Sequence, residues 1–235
     1  MSKNYEIISG DALAVLDQLP AQSYDALITD PPYSVMSTAR GNVKYFDGMS
    51  SSLSAIACDD MDQRAWSKWC CMWLCAARRC LKPGAPILVF CAWKQLPCLT
   101  DALQWANVIW RGVVSWDKIS SRPYKGRFKH QTEFIVWGSL GKLNVGHERC
   151  LPGAYRVQHA LCSQKERVHV MQKPLELLRQ LVRITRDGGK ILDPFCGSGT
   201  TVAAALLEGY TATGIEIDPD MAAKADKRVR DVIGV

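Results

Sequence analysis

The chain has 235 residues, of which 48% are hydrophobic and 22% charged, and its formal net charge is +6. This composition predicts a globular protein with one well-buried domain over residues 1–235, and it argues against disordered and fibrous classes. No apolar run reaches the roughly eighteen residues of a membrane span. The first residues lack an apolar leader, so we expect a cytoplasmic protein with no membrane partner.

Short apolar strands alternate with helices at the start of the chain. Residues 5–9 predict a strand and residues 12–19 a helix with Leu at helical spacing. A second strand, residues 24–29, runs directly into the tetrapeptide Asp30-Pro31-Pro32-Tyr33. Residues 34–62 are rich in Ser, Gly and Asp and have weak periodicity, which predicts a long mobile loop.

The same alternation continues to the end of the chain. Predicted strands are residues 86–91, 108–116, 132–137, 191–193 and 211–216, and predicted helices are residues 63–81, 95–105, 199–207 and 219–232, with one more from Pro174. Only residues 138–168 are weakly patterned. This order predicts an α/β fold, a doubly wound, mostly parallel sheet with helices on both faces, which binds its ligands at the carboxyl ends of the strands.

Positive charge is concentrated in the middle of the chain. Between residues 111 and 131, six basic residues stand against Asp117 alone: Arg111, Lys118, Arg122, Lys125, Arg127 and Lys129. A basic stripe suits a phosphate backbone, because each neutralised phosphate releases condensed counterions. A solvated surface would show the same charge run, so charge alone does not decide between the two.

The ten cysteines do not form a metal-binding pattern. No two cysteines are separated by two residues, and no Cys–His set has zinc-finger spacing. We expect reduced thiols that serve as small core side chains, and no metal site.

A glycine-rich segment between a strand and a helix predicts a cofactor site. The segment is Asp193-Pro194-Phe195-Cys196-Gly197-Ser198-Gly199-Thr200. Its glycines allow a ligand to approach the backbone, and the following helix offers unpaired N–H groups. Glu216 ends the next strand, where a carboxylate can accept hydrogen bonds from both ribose hydroxyls. An isolated Gly-x-Gly is more often a plain turn, so the strand, helix and acid around it favour an adenosine cofactor.

The tetrapeptide at residues 30–33 predicts a catalytic site. Asp-Pro alone is turn chemistry, but a turn requires neither a second proline nor a following aromatic residue. The prolines fix the backbone, so that Asp30 and the Pro31 carbonyl can accept hydrogen bonds from one amine. Tyr33 can stack on the face of a base.

Together, the segments 30–33 and 193–200 resemble the amino-DNA methyltransferases that methylate adenine N6 or cytosine N4. The order, with the catalytic motif first, is similar to their beta group. The resemblance implies a circularly permuted class I (Rossmann-like) methyltransferase fold and S-adenosylmethionine as cofactor. Residues 10–11, 82–87, 116–118, 130–134 and 172–178 match further family segments.

The resemblance also implies roles for individual residues. Catalytic residues would be Asp30, Pro31, Pro32 and Tyr33. Cofactor-binding residues would be Asp11 near the adenine, Lys173 near the methionine end, Glu216, and Asp193, Phe195, Cys196, Gly197, Ser198, Gly199 and Thr200 in the glycine-rich loop. Lys118, Arg122, Lys125, Arg127 and Lys129 would contact DNA.

The implied reaction is site-specific methylation of adenine N6 on a flipped-out base of double-stranded DNA. Residues 138–168 would be a target-recognition segment, short for this family. The resemblance leaves open a homodimer and a cognate restriction enzyme as partners.

Three other functions remain as alternatives. Cytosine N4 is disfavoured because the cytosine enzymes usually carry Ser where this chain has Asp30. Relatives that methylate RNA or a protein glutamine usually have Asn before Pro-Pro-Tyr and the cofactor motif ahead of it. A nucleic-acid-binding module without activity would explain the basic stripe but not the intact motifs.

Overall fold

The computed structural model describes residues 4–33, 61–119, 121, 123, 125–158 and 172–234. Its eight strands form one sheet. They are β1 (Tyr5–Ser9), β2 (Ala26–Thr29), β3 (Pro86–Cys91), β4 (Ile109–Asp117), β5 (Thr132–Ser139), β6 (Ala154–Arg156), β7 (Lys190–Asp193) and β8 (Thr211–Glu216). The described helices are α1 (Ala12–Gln18), α2 (Gln63–Cys80), α3 (Leu96–Trp105), α4 (Leu175–Leu181), α5 (Thr200–Leu207) and α6 (Pro219–Ile233).

The sheet is mostly parallel, as the sequence predicted. Its order is β1-β8-β7-β2-β3-β5-β4-β6. The first five strands in that order are parallel to one another, whereas β5 is antiparallel to both β3 and β4. Every residue of β2 and β3 is buried, as expected for parallel strands covered on both faces.

Helices cover both faces and enclose two apolar cores. On one face, α1, α2 and α3 contribute Leu16, Trp73 and Leu99. On the other face, α4, α5 and α6 contribute Leu177, Val202 and Val229. This arrangement confirms the doubly wound prediction. In the part of the chain that the structure describes, no helix is long and apolar enough to cross a membrane.

The early and late strands interleave in the sheet. β2 pairs with β7 through Ala26↔Ile191 and Leu27↔Leu192. β1 pairs with β8 from its first residue to its last, where Ser9 faces Glu216. The carboxyl ends of these four strands therefore lie at one edge, as the permuted fold requires.

Some element boundaries differ from the predictions. The Asp62 carboxylate accepts hydrogen bonds from the N–H groups of Arg64 and Ala65, so the predicted 34–62 loop ends in a helix cap; its residues 34–60 lie outside the described residues. Pro174 is the cap of α4 and not part of its first turn.

The segment 138–168 contains a strand that the sequence did not predict. This strand, β6, is three residues long and pairs with β4 at the edge of the sheet. A strand this short has too few positions to show alternation. Residues 159–168 of the segment lie outside the described residues.

Candidate active site

The two predicted motifs meet through a hydrogen bond between neighbouring strands. The Thr29 hydroxyl donates to Asp193 Oδ1 at 2.6 Å, across 164 positions of sequence. Burial raises the pKa of Asp193 to about 6, although the Thr29 hydroxyl and the Phe195 N–H act in the opposite direction. The bond lies at the carboxyl ends of β2 and β7, so the strip formed by residues 30–33 and the glycine-rich loop begin side by side.

The strip at residues 30–33 is fixed by side chains from α2 and from the loop before α3. Trp66 Nε1 donates to the Pro32 carbonyl at 2.7 Å, and Gln95 Nε2 donates to the Tyr33 carbonyl at 2.5 Å. The Tyr33 hydroxyl donates to Asp30 Oδ1 at 2.5 Å.

Four charged side chains form a chain of ion pairs behind the strip. Lys173 Nζ lies 2.8 Å from Asp30 Oδ2 and 3.1 Å from Glu133 Oε2. Lys118 Nζ lies 2.9 Å from Glu133 Oε1. The Lys173 side chain is only 10% exposed, so its two carboxylate partners compensate for the loss of solvent.

The pKa values in this cluster follow from burial and from the neighbouring charges. Burial raises the pKa of Asp30 above its ordinary value, although Lys173 opposes the rise. Burial would also raise the pKa of Glu133, but Lys173 and Lys118 outweigh it and the pKa is lowered. Burial would lower the pKa of Lys173, but the two carboxylates raise it instead. Burial, with Asp30 nearby, holds the pKa of Tyr33 well above its usual range, so the phenol stays a donor.

Two lysines have carboxylate partners that the sequence did not predict. Lys173, expected at the methionine end of a cofactor, pairs with Asp30 and also lies 5.0 Å from the Tyr33 ring centre. Lys118, expected to face DNA, turns inward to Glu133 and is 20% exposed. Both ammonium groups therefore take part in the ion-pair cluster.

The glycine-rich loop presents its backbone to open space at Gly197. Gly197 has φ +49°, and a Cβ there would meet nothing within 4 Å. Its N–H donates to Glu216 Oε2 at 2.9 Å, while Glu216 Oε1 accepts from the Asp218 N–H. Glu216 remains half-buried, with lone pairs free on both oxygens for hydroxyl donors. Open space beside a glycine and an available carboxylate fit an adenosine cofactor.

The side chains of the loop hold it in place. Phe195 packs against Trp69 and Trp73 of α2, with ring centres 5.2 Å apart in each case. Cys196 is buried against Gly214, where any larger residue would collide with its sulfur. Arg228 of α6 donates to the Ser198 carbonyl and to the Thr200 hydroxyl. Gly199 adopts φ +74° and packs close to Val229. The side chains thus anchor the loop on both sides of Gly197.

Asp11 lies at the same edge but caps a helix. Its carboxylate accepts from the Ala14 N–H at 3.1 Å, and the preceding Gly10 N–H donates to the Glu216 carbonyl at 2.9 Å. The exposed Asp11 is therefore placed next to Glu216 by the β1–β8 pairing.

Three of the predicted DNA-binding residues are exposed in the connection between β4 and β5. They are Lys125, Arg127 and Lys129. Arg122 lies outside the described residues. Among the described residues, no group of three His, Cys, Asp or Glu side chains could hold a metal ion.

The sequence analysis missed three side chains that shape the site. Glu133 lies in the segment 130–134 that matches the family but was given no role, and Trp66 and Gln95 were not singled out. A polar residue in an apolar strand, as Glu133 is in β5, was a usable signal. Trp66 and Gln95 carried no local signal, because their partners are backbone carbonyls more than thirty positions away.

Comparison with known proteins gives a consistent family. The family model described as DNA methylase matches residues 24–227. The Type II methyltransferase M.HinfI of Haemophilus influenzae is 27% identical over 96% of this chain and 68% of its own length. The Type II methyltransferase M2.MboI of Moraxella bovis is 24% identical over 99% of this chain and 90% of its own length.

Solved structures share the fold at lower identity. The M1.HpyAVI–SAM complex superposes with a TM-score of 0.70 and 20% identity, covering 96% of this chain and 98% of that one. The cytosine-N4-specific PvuII DNA methyltransferase gives a TM-score of 0.73 at 16% identity, covering 98% of this chain and 93% of that one. Both likenesses support the class I methyltransferase fold.

Proposed function

The chain belongs to the DNA methylase family, and we propose that it transfers a methyl group from S-adenosylmethionine to adenine N6 of a base flipped out of DNA. The observation that carries this proposal is the Thr29–Asp193 hydrogen bond between β2 and β7. Because Thr29 ends β2 and Asp193 ends β7, this bond brings the first residues of the catalytic strip and of the glycine-rich loop together at the sheet edge. An amine held by Asp30 would there face a cofactor held by the loop.

S-adenosylmethionine would supply an electrophilic methyl group on its sulfonium. Glu216 would accept hydrogen bonds from the ribose hydroxyls, and the backbone at Gly197 would lie against the cofactor. Asp11 would face the adenine, since it follows β1 beside Glu216. The partial positive charge at the N-terminus of α5 would favour the anionic carboxylate of the cofactor.

Asp30 and the Pro31 carbonyl would accept hydrogen bonds from the two N–H groups of the target amine. These acceptors pull electron density toward nitrogen and aim its lone pair at the methyl group. Lys173 opposes the burial that raises the pKa of Asp30, so it favours the ionised acceptor. Tyr33 would stack on the base, and the proton released after transfer would go to Asp30 or to water.

DNA would bind across the edge of the sheet where the strip lies. Lys125, Arg127 and Lys129 are exposed there and would contact phosphates, together with Arg122. Lys118 pairs with Glu133 and would contact a DNA phosphate by leaving that carboxylate. We assign target recognition to residues 138–168, within a single domain of residues 1–235 and with help from 34–62.

The preference for adenine rests on Asp30, because Ser is usual at this position in cytosine N4 enzymes. The experiment is methyl transfer from labelled S-adenosylmethionine to unmethylated duplex DNA, RNA and protein, with digestion of the DNA to nucleosides and identification by mass. N6-methyladenine is the expected product. N4-methylcytosine would reassign the base, and label in RNA or protein alone would reassign the substrate. Cofactor binding without transfer to any substrate would favour an inactive binding module.

A homodimer and a cognate restriction enzyme remain predictions about partners. Sedimentation of the purified chain with and without DNA would test the dimer. Expressing the neighbouring genes and assaying their products for cleavage of the methylated and the unmethylated site would test for a paired nuclease.

A further inference from the structure

We propose that Phe128 is a wedge that enters the base stack of DNA and fills the space left by the flipped base. The inference rests on the proposed function, since it names how the same site would open its substrate. It adds a nucleobase-contacting residue that does not belong to the catalytic strip or to the cofactor loop.

The first observation is the exposure of the side chain. Phe128 is 95% exposed, the largest exposed fraction among the large apolar side chains that the structure describes. Leaving a whole phenyl ring in water forgoes the gain from burial. A base step of DNA offers it an apolar, aromatic environment.

The second observation is the position of the loop relative to Asp30. The loop is closed at its base by the Lys118 N–H, which donates to the Gln131 carbonyl at 2.8 Å. β5 then begins, and its Glu133 contacts Lys173, which contacts Asp30. The loop carrying Phe128 therefore projects beyond the same sheet edge as the catalytic carboxylate.

The third observation is the charge around the ring. Arg127 and Lys129 flank Phe128 in sequence, Lys125 precedes them, and all three are exposed. In a base step of DNA, phosphates flank the stacked bases. The cations beside Phe128 would contact these phosphates while the ring enters between the bases. This complementarity identifies duplex DNA as the partner, and an apolar protein surface would lack it.

A second pair of rings extends the aromatic surface toward the pocket. His130 stacks on Trp93, with ring centres 6.0 Å apart and planes at 7°, and Trp93 is 53% exposed. Gln95, two residues after Trp93, donates a hydrogen bond to the Tyr33 carbonyl. The stacked rings thus connect the Phe128 loop to the segment before α3 that holds Tyr33.

The test uses synthetic duplexes that carry the site mapped by modified-base sequencing. In one duplex the target base is paired, and in the other it is mismatched, so that its stack is already weakened. Single-turnover methylation by Phe128→Ala should fall roughly tenfold on the paired duplex, in line with the energy of one stacking contact, and change little on the mismatched one. Phe128→Leu, which keeps an apolar wedge, should recover most of the rate.

Trp105→Ala is the matched control, because Trp105 is 62% exposed but lies at the far end of α3. It should behave like the wild type on both duplexes. Fluorescence of 2-aminopurine at the target position, measured without transfer, should rise on binding the wild type and rise less with Phe128→Ala.

The outcomes separate the two proposals. Equal losses on paired and mismatched DNA, or no loss with unchanged fluorescence, would overturn the wedge while leaving methylation intact. Absence of methyl transfer by the wild type on either duplex would count against the proposed function, and the fluorescence change would then decide the wedge alone.

Discussion

The two halves of the sheet present different chemistry at their shared edge. Beyond β1, β8 and β7 the protein offers backbone, in the loop at Gly197, and the carboxylates of Glu216 and Asp11. Beyond β2, β3 and β5 it offers a buried network of charged side chains centred on Lys173. The cofactor half therefore depends on glycine and local geometry, and the target half on charge balance between distant segments.

This difference explains why substitutions should act differently in the two halves. A side chain added to the cofactor half should obstruct binding and leave the chemistry alone. A charge removed from the target half should change the reaction or its pH dependence and leave cofactor binding alone. Four substitutions test this difference between the two halves.

The largest effect is expected from Asp30→Ala. Losing the acceptor should slow methyl transfer by a factor on the order of 10³, because preorganised polar contacts to the reacting group supply much of the acceleration. Affinity for S-adenosylmethionine should stay close to that of the wild type. Single-turnover rates and calorimetric titration measure the two quantities. Wild-type turnover in this variant would show that Asp30 is not the acceptor.

Gly197→Ala should act on binding. Its φ of +49° disfavours a side chain, and the added methyl would point into the space assigned to the cofactor. We expect roughly tenfold weaker binding of S-adenosylmethionine, comparable to one lost hydrogen bond.

Gly209→Ala is the matched control for that substitution. Gly209 also has positive φ, +82°, and open space at its Cβ, but it lies in the turn after α5. Both variants should lose a similar free energy of unfolding, whereas only Gly197→Ala should weaken cofactor binding. Equal affinity in the two variants would refute the assignment of the loop.

Lys173→Met should shift the pH dependence of the reaction. Lys173 lowers the pKa of Asp30 against the effect of burial, so its removal should raise that pKa further. Ionised Asp30 accepts the amine, and activity is lost as pH falls through this pKa. The acidic limb of the rate profile should therefore move to higher pH.

Lys118→Met is the comparison for the pH experiment. Lys118 pairs with Glu133 and not with Asp30. Its removal should leave the acidic limb near the wild-type position, even if DNA binding weakens. An identical shift in both variants would mean that the limb does not report Asp30.

The smallest effect is expected from Thr29→Val. It removes the bond between β2 and Asp193 and should lower the free energy of unfolding by about 1–2 kcal/mol. Thr213→Val breaks another buried bond, in which the Thr213 hydroxyl on β8 accepts from the Tyr24 hydroxyl. Urea denaturation should show comparable losses in the free energy of unfolding for the two variants. Only Thr29→Val should also slow methyl transfer. Equal rates would mean that the bond stabilises the sheet without positioning the strip.

The same contrast separates what could be predicted from sequence. Residues 193–200 are contiguous, and their glycines and flanking elements are local signals, so the loop was predicted with its boundaries. The meeting of residues 30–33 with this loop followed from the family resemblance, and the β2–β7 pairing confirmed it.

The charge network could not be predicted in this way. Lys173, Glu133 and Asp30 come from three separate segments, and their pairing depends on side-chain directions that periodicity does not give. Lys118 looked like one member of a basic stripe, but strand β4 ends just before it and turns it toward Glu133. Buried ion pairs are thus visible only after the strands are ordered.

The most direct test of the shared edge is a crystal structure of the protein with S-adenosylmethionine bound. The account predicts the ribose hydroxyls on Glu216, the adenosine along the backbone at Gly197, and the sulfonium methyl facing residues 30–33. A cofactor bound elsewhere, or a methyl group directed away from Asp30, would contradict it.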